Sequence, residues 1–303
     1  MRRHAPAFAG EILAVLLLAG GCGSGAAGSP QPTATPSGPV GTPLIGTAVT
    51  ASPKVEASTV PSASGTPSAT AAALPAGPLK IAALGDSLTE GQGDDSGGGG
   101  YPGRLLKLVA PLRPGTTVVN FGHSGWESAD LIDGVNGQPS ELTQAISAHP
   151  NVALVWIGSN DLWYLYEGGP EPMETAFEQA DLATFEANID TILGRLTGAG
   201  ATVFIALLDD QSKRPFVAHP NPTEPAFAAI TPADLTLMSA HIRAYNEIIS
   251  RKAAHYGAIT VDFYDTTIFT DPATLYGDGN HPNEAGYDLV TQVWFKALEP
   301  LLK

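Results

Sequence analysis

Cysteine is all but absent: Cys22 is the single one in a chain of 303 residues. That excludes an intrachain disulfide and a cysteine-based metal cluster. Positive charge is also scarce. Lys and Arg number 15 against 30 Asp and Glu, a formal net charge of −15. Such a surface repels phosphate backbones and excludes nucleic-acid binding driven by counterion release. Charged residues of either sign make up only 15% of the chain, below the roughly 25% usual in soluble domains. Long hydrophobic runs are missing as well. The apolar stretch near the N-terminus, Ile12–Gly20, has nine residues, far short of the roughly 20 that span a bilayer.

What that stretch does carry is an export pattern. Arg2 and Arg3 precede it, and it closes on Leu18-Ala19-Gly20-Gly21-Cys22, a positive region followed by a short apolar core and small residues. The arrangement resembles a bacterial lipoprotein signal, with Ala19 departing from the leucine most common there. The resemblance implies that residues 1–21 are removed and that Cys22 becomes a lipidated N-terminus, the chain's only attachment to a membrane. The alternative is an ordinary secretory peptide cut elsewhere, leaving a secreted soluble protein. Both place the protein outside the cytoplasm. In residues 23–78, 46 of 56 residues are Ser, Thr, Pro, Gly or Ala and none is aromatic. Such a segment buries too little apolar surface to offset its ordering entropy, so 22–78 is expected to be a disordered tether, roughly 40 Å in root-mean-square span.

Residues 79–303 suffice for one domain. Five short apolar runs read as strands: 79–84, 117–121, 152–157, 203–208 and 259–263. Between them lie helical patterns at 183–196, 233–256 and 285–302; Leu235, Met238, Ile242, Tyr245 and Ile249 recur at steps of three and four. Apolar strands alternating with amphipathic helices predict a three-layer α/β/α sandwich around about five mostly parallel strands. No coiled-coil heptads occur, and a monomer is expected.

In an open parallel sheet, reactive groups lie beyond the carboxyl ends of the strands. Polar, glycine-containing clusters follow the strands there: Gly85-Asp86-Ser87-Leu88, then Asn120-Phe121-Gly122, then Gly158-Ser159-Asn160-Asp161, then Asp278-Gly279-Asn280-His281-Pro282. A serine hydroxyl becomes a nucleophile when a base takes its proton, histidine suits that task near neutrality, and the histidine needs a carboxylate to fix its tautomer. Ser87, His281 and Asp278 supply these three groups. The developing oxyanion needs fixed donors, for which the backbone N–H groups of Ser87 and Gly122 and the side-chain amide of Asn160 are candidates. Gly122 is read as a residue whose missing side chain permits close approach of the backbone.

The ordered set of four blocks resembles the SGNH-hydrolase (GDSL esterase/lipase) superfamily over essentially all of 79–303. The resemblance implies a flavodoxin-like sandwich, no metal or organic cofactor, and hydrolysis of carboxylic esters through an acyl-enzyme. It implies Ser87 as nucleophile, His281 as base, Asp278 as its orienting acid, and Ser87, Gly122 and Asn160 as the oxyanion donors.

Other readings of single residues remain. Asp86 is assigned to the turn, and Asp161 to capping the helix it opens. His123 is a rival to His281 but occupies the oxyanion loop. The connections 162–178 and 209–231 carry Trp163, Tyr164, Tyr166 and Phe216, which are candidates to line a substrate pocket or to pack under their own loops. Gly97–Gly100 is a candidate lid hinge. The substrate is expected to be a small-molecule, lipid or sugar ester, with carbohydrate acetyl esterase and lysophospholipase variants of the same chemistry open. A non-catalytic ligand-binding lipoprotein and a metal-dependent phosphoesterase are the competing classes; the latter lacks the early Asp-x-His motif and late histidine pair it needs.

Overall fold

Five parallel strands form one sheet in the order β2-β1-β3-β4-β5, comprising β1 (Lys80–Gly85), β2 (Thr117–Asn120), β3 (Val152–Trp156), β4 (Thr202–Leu207) and β5 (Ile259–Asp262). The computed structural model describes residues 74–167, 175–219 and 226–303, with the side chains of 175–177 left aside. All of them belong to one unit, Ala63–Lys303. The expected signal segment 1–21, Cys22 and nearly all of the expected tether lie outside the described residues. The last residues before β1 do not behave as a tether. Leu74 is buried, and Arg113 Nη1 donates to the carbonyls of Pro75 and Gly77 at 2.8 and 2.9 Å, so the packed domain starts upstream of the expected boundary at 79.

Each expected strand forms, with ends within a residue or two of the apolar runs. The sandwich is shown as well. On one face lie α1 (Ser87–Glu90), α2 (Gly100–Val109) and the last helix, α9 (Glu284–Leu298). On the other lie α3 (Ser128–Asp133), α4 (Glu141–Ser147), α6 (Thr175–Gly198) and α8 (Pro232–Tyr256). Two short helices, α5 (Ser159–Trp163) and α7 (Pro215–Ala218), sit on the connections after β3 and β4. The central strands β1, β3 and β4 are buried almost throughout, whereas the edge strands β2 and β5 are largely exposed. Among the described residues no helix is long and apolar enough to cross a membrane.

Local signals explain the longest element. Thr231 accepts from the Asp234 N–H while Asp234 accepts from the Thr231 N–H, Pro232 opens α8, and Gly257 ends it in the left-handed conformation. Its stripe Met238, Ile242, Tyr245 and Ile249 is fully buried. The sequence stripe therefore marks the face packed on the sheet.

The turn at the end of β1 is fixed by two constraints. Gly85 has φ +151°, and a Cβ there would sit 2.0 Å from the Trp156 carbonyl oxygen. Below it lies Glu141, the first residue of α4 and wholly buried. Its Oε2 accepts the Gly85 N–H at 2.8 Å, and its Oε1 lies 3.2 Å from His123 Nδ1. One buried carboxyl thus ties the end of β1 to the loop after β2. Burial pushes this carboxyl up to about 9, more than the Gly85 and His123 hydrogen bonds offset, with the charges of Asp86 and Glu90 adding to the rise.

Gly85→Ala is expected to destabilise the domain by at least about 1–3 kcal/mol, the usual cost of a strained backbone residue, read as a lower melting temperature; an unchanged value contradicts the close approach. A second expectation concerns pH. An unfolded glutamic acid ionises near 4.5, whereas folded Glu141 keeps its proton to about 9, so the folded state binds the extra proton across that window and stability falls as pH rises through it. Glu141→Gln removes this ionisation and keeps an acceptor for Gly85. Its melting temperature should decline less steeply than that of the wild type across the window; equal slopes contradict a protonated Glu141.

Candidate active site

Ser87 is the first residue of α1, at the carboxyl end of β1. Asp86 caps this helix, its Oδ1 accepting the Leu88 N–H at 3.0 Å. Asp86 is fully buried, and burial pushes it up to about 7 against the opposing Leu88 N–H and the Arg214 charge. Its place is in the turn, as the sequence indicates, with the serine hydroxyl left on the outer side.

The loop after β5 returns to this point. Leu275 and Pro282 form an antiparallel bridge, the Tyr276 N–H donates to the His281 carbonyl at 2.7 Å, and Asn283 caps α9 by accepting the Gly286 N–H at 3.0 Å. Between these fixed ends, His281 Nε2 comes to 2.9 Å from Ser87 Oγ across 194 residues of sequence. On the far side of the ring, Nδ1 lies 2.7 Å from Asp278 Oδ2. Because a carboxylate only accepts, Nδ1 carries the proton and the Nε2 lone pair faces the serine hydroxyl. Asp278 Oδ1 accepts the Asn280 and His281 N–H groups at 2.8 and 3.0 Å. Burial alone pushes this carboxyl up, but the His281 bond and charge and these two N–H groups outweigh it and hold Asp278 below the usual carboxylate range.

The donors are placed less simply. Ser87 N–H lies at the helix start, where backbone donors have no intrahelical acceptor. Asn160 stands on the first turn of α5, after Gly158 with φ +122°, and its Nδ2 donates to the Trp126 carbonyl at 2.9 Å. One amide hydrogen fixes the side chain, leaving the second for another acceptor. Gly122 meets the expectation of close backbone approach but differs in what its N–H bonds. Its N–H donates to Asn120 Oδ1 at 2.9 Å. The reason for glycine is packing against α1, since a Cβ would lie 2.5 Å from the Glu90 nitrogen and 2.8 Å from Thr89 atoms. Asn120 Nδ2 meanwhile donates to the Thr89 carbonyl at 2.7 Å, so this one side chain joins the loop after β2 to α1. The Ser124 N–H and hydroxyl donate to Glu90 Oε2 and Gln92 Oε1 at 2.8 and 2.7 Å.

His123 is held apart from the Ser87–His281–Asp278 chain. Its Nδ1 donates to the Phe121 carbonyl at 2.7 Å and its ring stacks on Trp126 at 4.2 Å. Asp161 caps a different helix from the one expected. Its carboxylate receives the N–H (2.9 Å) and the hydroxyl of Ser128, where α3 begins, because Asp161 points away from its own helix start and into the interior. Burial pushes it up to about 6. Of glycines 97–100, Gly100 is tied down: Asp94 accepts its N–H at 2.9 Å and is paired with Arg104, which also reaches Asp288 at 2.8 Å.

The aromatic candidates divide. Trp163 stacks on Phe216 at 5.4 Å with the rings nearly parallel, and Phe227 packs edge-on to both. Phe216 N–H donates to the Gly279 carbonyl at 3.1 Å, which sets this cluster beside the His281 loop. Tyr164 is half exposed, its hydroxyl donating to Gly125 at 3.3 Å. Tyr166 does not line an open pocket. It is buried with its hydroxyl 2.7 Å from His241 Nδ1 on α8, because that buried imidazole needs a partner. Parts of both connections, 168–174 and 220–225, lie outside the described residues, as does the Phe177 side chain. A cleft of about 570 Å³ lies elsewhere, lined by Leu207, Asn246, Ser250, Tyr264 and neighbours, and includes none of the residues above. Among the described residues no group of three His, Cys, Asp or Glu side chains is arranged to hold a metal ion.

Sequence reasoning missed Arg214 and Glu141, which act through contacts between segments far apart in the chain. Asn120 stands in the polar block after β2 but was given no part of its own there.

Comparison with known proteins shows the family of the chain. The model of the GDSL-like Lipase/Acylhydrolase family matches residues 83–289. A multidomain esterase of Ruminococcus flavefaciens is 24% identical over 264 residues, 78% of this chain and 30% of that protein; the chain spans under a third of the length of this curated relative. Among solved structures, an alpha/beta hydrolase, LAE5, from the metagenome of Lake Arreo shares 22% identity with a TM-score of 0.50, covering 75% of this chain and 98% of its own. The acetylxylan esterase Axe2 of Geobacillus stearothermophilus is similar at 21% identity and a TM-score of 0.48, over 73% of this chain and 95% of its own. With two thirds of its length matched by the family model and four blocks gathered at one sheet edge, the chain belongs to the GDSL-like lipase/acylhydrolase family.

Proposed function

We propose that the protein is a serine esterase that hydrolyses carboxylic esters through an acyl-enzyme on Ser87. The observation that supports it is the unbroken chain from Ser87 Oγ through His281 to Asp278, at 2.9 and 2.7 Å. Ser87 Oγ attacks the ester carbonyl carbon while its proton passes to His281 Nε2. The imidazolium is stabilised by Asp278, which stays ionised. The negative oxygen of the tetrahedral intermediate takes hydrogen bonds from Ser87 N–H and the second amide hydrogen of Asn160. Gly122 N–H joins them when Asn120 Oδ1 gives it up. His281 then returns its proton to the leaving alcohol oxygen, and water repeats the sequence on the acyl-enzyme, with the proton again held by His281.

Sugar acetyl esters are a second reading. Half-exposed Tyr164, whose hydroxyl donates to Gly125 in the loop after β2, and the stacked Trp163–Phe216 pair beside the His281 loop are the aromatic groups that support it. Aryl esters of increasing acyl length, assayed beside acetylated sugars, separate the readings. We further propose that Cys22 anchors the exported protein by a lipid, the residues after it serving as the tether.

Ser87→Ala and His281→Ala are expected to lower kcat by at least roughly 10³-fold, and Asp278→Ala by somewhat less. Asn160→Ala should cost about 10²–10³-fold with little change in KM. Full turnover in the Ser87 variant refutes the covalent route. The full-length chain, expressed in bacteria, should enter the detergent phase on cloud-point separation and move to the aqueous phase as Cys22→Ser. Identical partitioning of the two contradicts the anchor.

A further inference from the structure

Arg214 is 2% exposed. A guanidinium buried this completely needs its donors satisfied. Two go to Asp209, with Nε to Oδ2 at 2.8 Å and Nη2 to Oδ1 at 2.6 Å, a bidentate pair that neutralises the charge. The face of the group lies 4.5 Å from the Phe269 ring centroid. The remaining direction is the informative one: Nη1 donates to Asn280 Oδ1 at 2.6 Å. Asn280 stands between Asp278 and His281, and its own N–H donates to Asp278 Oδ1 at 2.8 Å.

The ends of this loop are held by the Leu275–Pro282 bridge and by Asn283 at the start of α9. Its tip is held differently. Gly279, at φ +72°, accepts the Phe216 N–H at 3.1 Å, and Asn280 takes the Arg214 bond. Among the described residues these two bonds join the tip to the connection after β4. Arg214 and Phe216 are two residues apart at the start of α7, so this connection grips the tip at a pair of adjacent points.

We propose that Arg214, acting through Asn280, is a positioning residue for His281. It fixes the register of the loop tip so that the ring stays within hydrogen-bond reach of both Ser87 and Asp278. The same grip places the Trp163–Phe216 pair at a fixed offset from the imidazole, which couples the aromatic side of the site to the reacting groups. This inference rests on the proposed roles of Ser87 and His281. Displacements of about 1 Å at a reacting pair cost on the order of 10²-fold in rate, so a grip of this kind is read in kcat rather than in binding.

The decisive variant is Asn280→Ala, which removes the acceptor and leaves the Arg214–Asp209 pair intact. Arg214→Lys keeps the charge and loses the fork, and Asn280→Asp keeps an acceptor. Three readouts apply: the rate of Ser87 labelling by a fluorophosphonate, kcat and KM for an aryl acetate, and hydrogen exchange of the backbone of 276–283. Asn280→Ala should slow labelling and kcat roughly 10- to 100-fold, leave KM within about twofold, and speed exchange in 276–283, with a melting temperature near that of the wild type. Arg214→Lys should act in the same direction, and Asn280→Asp should restore most of the labelling rate. Labelling and exchange at wild-type rates in Asn280→Ala, or a loss that only tracks the unfolded fraction, overturns the inference. Absence of label on Ser87 in the wild type instead overturns the reading of the site, and the exchange measurement then decides the role of Arg214 by itself.

Discussion

A hydrogen bond of 2.9 Å between a hydroxyl and an imidazole 194 residues apart in the chain is only as good as the scaffold that holds both ends. One end is carried by β1, locked between β2 and β3 by parallel ladders. The other hangs on a loop well beyond β5. The ring can sit correctly because the loop is bridged at its base, capped into α9 at its exit and gripped at its tip.

The buried ionisable groups differ by their surroundings. Glu141 beneath Gly85, Asp86 at the start of α1 and Asp161 against Ser128 at the start of α3 each accept a backbone N–H. Burial raises all three carboxyls. Asp278, by contrast, is held low, by its bond to the His281 ring and by two backbone N–H groups. Like groups in different surroundings therefore divide into neutral or partly neutral braces and one ionised partner for the base.

The strands and the four polar blocks were legible in the sequence because their signals are local: an apolar run, then glycine and polar residues at its end. The stripe from Met238 to Ile249 was legible for the same reason. Asp161 was misread because its short-range alternative, capping its own helix, is the common one, while its actual partner Ser128 lies 33 residues away. Tyr166 and Phe216 look alike as aromatics on long loops, yet one pairs with buried His241 and the other with the His281 loop. Arg214 and Glu141 carry no local signal, since a cation in a loop and an acid at a helix start are ordinarily surface residues. Gly122 was singled out from the sequence for close backbone approach, and the backbone that approaches it is that of α1.

The most direct test of the account is to stop the reaction in mid-course. Acid-quenching the enzyme within milliseconds of mixing with an aryl ester, followed by peptide mass mapping, locates any acyl group carried by the chain. The account predicts one acyl group, on the peptide containing Ser87, and none on that peptide in the His281→Ala variant. An acyl group on Ser124 instead, or ester turnover with no covalent species on a serine, contradicts it.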